Sequence, residues 1–212
     1  MRPSMKIFGA VKKYMSIIAA LALILVSSPA EAQRGKRFYV SGGWQVNGTL
    51  KNEVAQSFEG HGAYLEQGYY LTPMLAMGGF ISFSTNNQYF PSETHSYEDG
   101  AALTTDYSRS VYQVPFGSTV RVRFMRDMFQ PYVQAKVGGE YSVQGTYIST
   151  FASTEDNWGF YVSPEIGLVV YPFYKEDIGF QVAAYYSYSS NRSYRYDMHG
   201  INNLGFKLGL AF

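Results

Sequence analysis

The last ten residues, Asn203-Leu204-Gly205-Phe206-Lys207-Leu208-Gly209-Leu210-Ala211-Phe212, alternate between two kinds of side chain. Every large apolar residue falls on one parity, while the other holds only asparagine, glycine, lysine and alanine. Successive side chains of a β-strand point to opposite faces, so this pattern predicts a strand between an apolar environment and a polar one. Phe212 then ends the strand as the last member of an unbroken apolar row.

Seven segments upstream repeat this period of two, and each has about ten residues, the length of a tilted transmembrane strand. They are 38–46, 62–71, 75–83, 112–124, 133–141, 160–170 and 179–188. Short connections near 72–73, 126–130 and 172–177 alternate with longer polar ones at 48–60, 86–106, 142–157 and 190–202. The sequence therefore predicts an all-β fold, an eight-stranded antiparallel up-and-down transmembrane β-barrel with long loops at one end.

The N-terminus predicts export. Lys6, Lys12 and Lys13 precede an apolar run at 16–26, and a small-residue motif ends at Ala32. This order of charged, apolar and small residues is typical of a secretory signal peptide. The run is shorter than the roughly 20 residues of a membrane helix, so a retained anchor is not expected. We predict a signal peptide at 1–32, cleaved near Ala32, and a barrel domain at 33–212.

Composition excludes several classes of protein. The sequence has no cysteine, which excludes a disulfide scaffold and a lipoprotein. Removal of the leader leaves a net charge of about −2, which provides no strong attraction for nucleic acid. No zinc-ligand spacing, glycine-rich phosphate loop or acidic calcium loop occurs, so no metal or cofactor is predicted.

Alternation alone is compatible with two classes of protein: a transmembrane barrel with a polar interior, and a soluble lipocalin-type barrel with an apolar interior. Glycines concentrate on the polar parity, as the crowded interior of eight strands requires, and that parity carries few charges for a soluble exterior. Aromatic residues gather at both ends of the segments, which is typical of membrane interfaces. They are Trp44, Tyr112, Trp158, Phe160 and Tyr188 toward the long connections, and Phe38, Tyr69, Phe124, Tyr171 and Phe212 toward the short ones.

The leader, the eight segments and the terminal segment 203–212 together resemble the small bacterial outer-membrane β-barrel proteins, a group that includes the OmpA- and OmpX-like barrels. The resemblance implies a place in the outer membrane, contact with its lipid, and insertion by the barrel-assembly machinery. In such families a C-terminal strand with a final aromatic residue is the assembly signal, and Leu208, Leu210 and Phe212 match that pattern.

Charged residues on the inward parity are the candidate site. Five of them lie about three to six residues above the short-turn end, so we expect them to pair across the lumen. One interpretation is a structural plug of ion pairs; the other is a narrow channel for small solutes or protons. An eight-stranded interior is just wide enough to be filled by side chains, which favours the plug. The inward charges are Glu66, Arg121, Arg123, Lys136, Glu140, Glu165 and Lys207, with Arg123 and Glu140 outside the common layer.

A lipid A-modifying enzyme is a less favoured alternative. His95 stands beside hydroxyl and acidic residues in the segment 94–99, but in a predicted loop without rigid support. His61 and His199 lie at loop borders without a neighbouring acid and serine. We therefore predict that the protein is not an enzyme.

The long connections offer a third kind of role. Tyr89, Phe90, Tyr97, Tyr147 and Phe151 occur there among serine and threonine, a composition suited to surface ligands or glycans. The alternative is that these rings pack over the barrel mouth.

Pro115 and Pro164 fall inside predicted strands, although a closed barrel has no free edge for a residue that lacks an N–H group. We expect a bulge or a shift of register at each.

Overall fold

The computed structural model describes residues 37–50, 60–96, 102–148, 151–172, 178–193 and 198–212. The predicted signal peptide and its cleavage site lie outside these residues. No helix within the described ranges is long and apolar enough to cross a membrane. The strands are β1 (Phe38–Leu50), β2 (Gly60–Tyr70), β3 (Leu75–Ser96), β4 (Ala102–Arg123), β5 (Phe129–Ile148), β6 (Phe151–Val170), β7 (Gly179–Ser193) and β8 (Met198–Ala211).

Each strand pairs antiparallel with the next, and β1 pairs with β8, so the sheet is a closed barrel. Phe212 lies one residue beyond β8 and completes the closure. Its N–H donates to the Val40 carbonyl (2.8 Å), and the Val40 N–H donates to the Phe212 carbonyl (3.1 Å). The predicted eight-stranded up-and-down barrel is confirmed.

The apolar parity faces outward. In β8, Phe206 and Leu208 are 57% and 63% exposed, whereas Lys207 between them is 3% exposed. This excludes the lipocalin-type arrangement. Aromatic residues on the outer face cluster toward the long hairpins, where the Trp158 ring lies 6.1 Å from Phe116 and 5.1 Å from Tyr141. We call the outward apolar rows of all eight strands the outer belt.

The prediction of long irregular loops is wrong for most of their length. β3 and β4 continue as a paired hairpin through most of 86–106, β5 and β6 through 142–157, and β7 and β8 into 190–202. Backbone hydrogen bonding does not require one apolar face, so the strands extend beyond the level at which alternation ends. We call this end of the barrel the long-hairpin end; residues 51–59, 97–101, 149–150 and 194–197 between its strands lie outside the described residues.

The expected distortion at Pro115 is also wrong. Pro115 pairs with Glu140 of β5 in unbroken register. On the β3 side, Ile81 pairs with Phe116 and Ser84 with Gln113, so the ladder skips two pairs but keeps its register.

Pro164 likewise leaves the register between β6 and β7 unchanged, because Val162 pairs with Tyr188 and Glu165 with Tyr185. The residue facing Pro164 in this register is Tyr186. A side chain supplies a donor at this point: the Ser163 hydroxyl donates to the Tyr186 carbonyl at 2.8 Å. The hydroxyl thereby satisfies the Tyr186 carbonyl, to which the Pro164 nitrogen cannot donate because it carries no hydrogen.

Candidate functional site: a closed lumen

Inward tyrosines lie flat over glycines of the neighbouring strand. Tyr132 pairs with Gly167 and Tyr185 with Gly205. A Cβ added to either glycine would approach the tyrosine ring within 2.5 and 2.6 Å, respectively. These two glycines therefore make room for large rings, whereas at other inward glycines, such as Gly43 and Gly138, an added Cβ would meet the backbone of the neighbouring strand.

Five charged side chains from five strands meet in the middle of the lumen. Lys136 and Lys207 each contact both Glu66 and Glu165, and Arg121 donates to Glu66 at 3.0 Å. The Lys207 ammonium lies 2.5 Å from Glu66 and 2.7 Å from Glu165, and the Lys136 ammonium lies 2.6 Å from Glu165. These five side chains are 0–3% exposed. The layer in which sequence placed them is thus a single ion-pair network.

Neutral groups complete the coordination of this network. The Gln134 amide donates to Glu66 at 2.9 Å, and the Tyr132 hydroxyl donates to Glu165 at 2.8 Å. The Arg121 guanidinium also lies between two rings, 4.1 Å from the Tyr39 centroid and 4.3 Å from that of Tyr132. Buried charges persist only with such partners, and each carboxylate here has several.

The remaining two predicted charges lie apart from the network. Arg123 is at the short-turn end, where its Nε donates to the Pro73 carbonyl at 2.8 Å. Glu140 is toward the long-hairpin end and accepts from the Gln113 amide at 3.0 Å and the Asn191 amide at 3.3 Å. Neither belongs to an ion pair among the described residues.

A chain of polar side chains leads across the lumen to Glu140. Asn86 donates to Thr49 (2.7 Å), Thr49 to Asn203 (3.0 Å), Asn203 to Gln113 (3.1 Å) and Gln113 to Glu140. Because the Gln113 amide nitrogen donates to Glu140, its amide oxygen is free to accept from Asn203, and the same orientation continues along the chain. The alternation of charged residues does not predict this chain; the inward parity of Gln113 and Asn203 is the signal that the sequence carries for it.

Most of the candidate enzymatic residues have side chains that lie outside the described set. His95 lies on β3 opposite Leu103, so the predicted loop there is a strand, but its side chain and residues 97–99 lie outside the described set. His61 is exposed on β2, and only the backbone of His199 is described. No group of three metal-ligating side chains occurs among the described residues.

Comparison with known proteins places this barrel. A family model for the outer membrane protein beta-barrel domain matches residues 18–212. No curated protein matches the sequence.

Three solved outer-membrane structures are similar. The attachment invasion locus protein Ail of Yersinia pestis aligns with a TM-score of 0.50 at 15% identity, covering 84% of this chain and 99% of that one. Neisserial surface protein A aligns with a TM-score of 0.50 at 11% identity, covering 82% and 95%. The protease OmpT of Escherichia coli aligns with a TM-score of 0.46 at 10% identity, covering 84% and 93%.

At these identities the Ail and Neisserial surface protein A structures show a similar fold and carry no information on activity. The family match spans the whole barrel, and the barrel is closed, with an apolar exterior and a charged, filled interior. The chain therefore belongs to the outer membrane protein β-barrel family and resides in the outer membrane.

Proposed function

We propose that this protein is a non-conducting outer-membrane barrel that serves as a rigid base for its long hairpins at the cell surface. The observation that carries the proposal is the network of Glu66, Arg121, Lys136, Glu165 and Lys207, which joins β2, β4, β5, β6 and β8 across the lumen. A solute would have to break several buried ion pairs at once to pass this level. The outer belt would meet outer-membrane lipid.

Planar-bilayer recording tests this closure. We expect no reproducible single-channel steps from the refolded wild type. A variant with Glu66, Lys136 and Lys207 all replaced by alanine removes most of the network and should conduct, which shows that the assay detects an open lumen. Steps of equal size from the wild type would instead establish the narrow channel.

The hairpins support a surface role. β3 continues 13 residues beyond Phe83 of the outer belt, from Ser84 to Ser96. At about 3.3 Å per residue this is roughly 40 Å along the strand. A paired hairpin holds its side chains in a defined array, which suits contact with a ligand better than an irregular loop does.

Binding of surface ligands is tested by shortening one hairpin at a time. One variant joins Asn87 to Ser110, which are partners in the ladder, through an Asn-Gly turn. A matched variant shortens β5–β6 by joining Gln144 to Glu155, also partners. We expect loss of binding to host-cell glycans or cell surfaces from one variant and retention by the other. Unchanged binding by both would contradict a hairpin-borne role.

We also propose export through the signal peptide at 1–32, assembly through Leu208, Leu210 and Phe212, and no enzymatic activity. N-terminal sequencing of protein from outer membranes should begin at Gln33. Mass spectrometry of lipid A should give the same acylation pattern with and without the gene. A pattern that changes on deletion and is not restored by a His95→Ala variant would establish catalysis.

A further inference from the structure

A buried arginine at the short-turn end has no anionic partner among the described residues. Arg123 is 4% exposed, and its acceptors are the Pro73 carbonyl at 2.8 Å and the Gln130 amide oxygen at 3.5 Å. Its guanidinium lies 3.7 Å from the centroid of the Tyr70 ring. These three neighbours are neutral, and Arg123 belongs to no ion pair within the described structure.

The network above it adds to this excess. Three cations, Arg121, Lys136 and Lys207, face two carboxylates, Glu66 and Glu165. This half of the described lumen therefore carries two more positive than negative side chains once Arg123 is included. In a low-dielectric interior such an imbalance attracts an anion.

A cavity of about 20 Å³ lies between the two arginines. That space holds about one water molecule or one ion of similar size. Its polar walls include Tyr39, Tyr70, Arg121, Arg123 and Gln130, and the C-terminal residue Phe212 also lines it. The Tyr39 hydroxyl is buried and has no hydrogen-bond partner, so one wall residue carries an unused donor.

We propose that this cavity is a binding site for one small anion, either chloride or the carboxylate end of a periplasmic chain. The N–H groups of Arg123 and the Tyr39 O–H donate to the anion, and Arg121 adds positive charge while it keeps its bond to Glu66. Guanidinium groups are the side chains best suited to carboxylates and other anions. The short-turn end, where the site opens, faces the periplasm in a barrel of this family.

Chloride binding is measured by the broadening of the ³⁵Cl NMR line of sodium chloride in the presence of the full mature protein in micelles, with empty micelles as the blank. We expect broadening by the wild type and at least about tenfold weaker binding by Arg123→Gln, because a charge-assisted hydrogen bond is lost. Tyr39→Phe should also weaken binding. Arg126→Gln is the matched control, because it removes the same charge from an exposed position on the adjacent turn.

Competition identifies the anion. Formate should reverse the broadening if a carboxylate enters the cavity, and a short peptide with a free C-terminus should do so where its amidated form does not. If neither formate nor the peptide reverses the broadening, the site binds chloride and not a carboxylate. If Arg123→Gln fails to insert, Tyr39→Phe decides, since it deletes only an unpartnered hydroxyl. No broadening by the wild type, equal broadening by wild type and Tyr39→Phe, or equal loss in Arg126→Gln would overturn the site.

Discussion

Glu66 is the centre of the lumen network because it accepts from Arg121, Lys136, Lys207 and Gln134 together. Its contacts come from residues 55 to 141 positions away in the sequence, so they exist only when the barrel is closed. Removal of this carboxylate would leave three buried cations with Glu165 as their one remaining anion.

We predict that Glu66→Gln lowers the free energy of unfolding by about 3–5 kcal/mol, the range for breaking a buried ion pair. Urea unfolding in phosphocholine vesicles, followed by the fluorescence of Trp44 and Trp158 on the outer face, measures it.

Glu140→Gln is the matched control, because the same change falls on a buried carboxylate whose donors are the neutral amides of Gln113 and Asn191. A glutamine oxygen accepts the same hydrogen bonds, so the loss should be about 1 kcal/mol. Equal losses of unfolding free energy in the two variants would show that the ion pairs of Glu66 stabilise the barrel no more than the hydrogen bonds of Glu140 do.

At the scale of a strand, β6 contains a proline without a bulge. Ser163 supplies a donor to the Tyr186 carbonyl where Pro164 has none. The ladder with β7 skips these two residues but keeps its register, so the pair acts as a unit that preserves the register, which neither residue type predicts alone.

We predict that Ser163→Ala costs about 1–3 kcal/mol, the penalty for a buried carbonyl left unsatisfied. The double variant Ser163→Ala with Pro164→Ala should recover most of this loss, because a backbone N–H then faces Tyr186. The same urea titration tests both variants. No recovery of stability in the double variant would contradict the idea that the Ser163 hydroxyl replaces the N–H group that Pro164 lacks.

The end of β8 carries a second prediction. Phe212 closes the barrel through two backbone hydrogen bonds to Val40, and its ring is the last of the outward row. If this residue is the assembly signal, Phe212→Ala should reduce the yield of heat-modifiable protein in outer membranes several-fold.

Phe206→Ala is its control, since it removes the same ring from the same outward row, where it is 57% exposed. Yields that fall equally in the two variants would indicate a loss of apolar surface rather than of a signal.

At the scale of the whole molecule, the membrane-embedded part of the barrel and the hairpins beyond it have different roles. The outer belt and the ion-pair network occupy one level, and the paired hairpins rise beyond it. We predict that the variant joining Asn87 to Ser110 keeps heat-modifiable migration and an unfolding free energy within about 2 kcal/mol of wild type, because a shorter connection lowers the entropy cost of closure while the lost pairs lie outside the belt. Gel mobility and urea titration check this, and a barrel that no longer inserts would show that the hairpins are needed for folding.

The sequence by itself determined the eight strands, the face that each residue takes and the layer of inward charges. A membrane barrel must place apolar and polar side chains on alternate faces, so each residue type indicates the face that it takes. Leu208, which is exposed, and Lys207, which is buried, show this. Only the tertiary structure decided which charges meet. Glu66 and Lys207 are 141 residues apart, and their contact depends on the register of every ladder between them.

The tertiary structure also decided where the strands end, since backbone pairing continues through 86–96 without any apolar alternation to mark it. It gave Arg123 and Glu140, which the sequence already places outside the common layer, their neutral partners, and it showed that two prolines leave the register unchanged. Side-chain pattern records the surroundings of a strand, whereas hydrogen bonds between backbones and across a closed lumen depend on distances that exist only after the chain has folded.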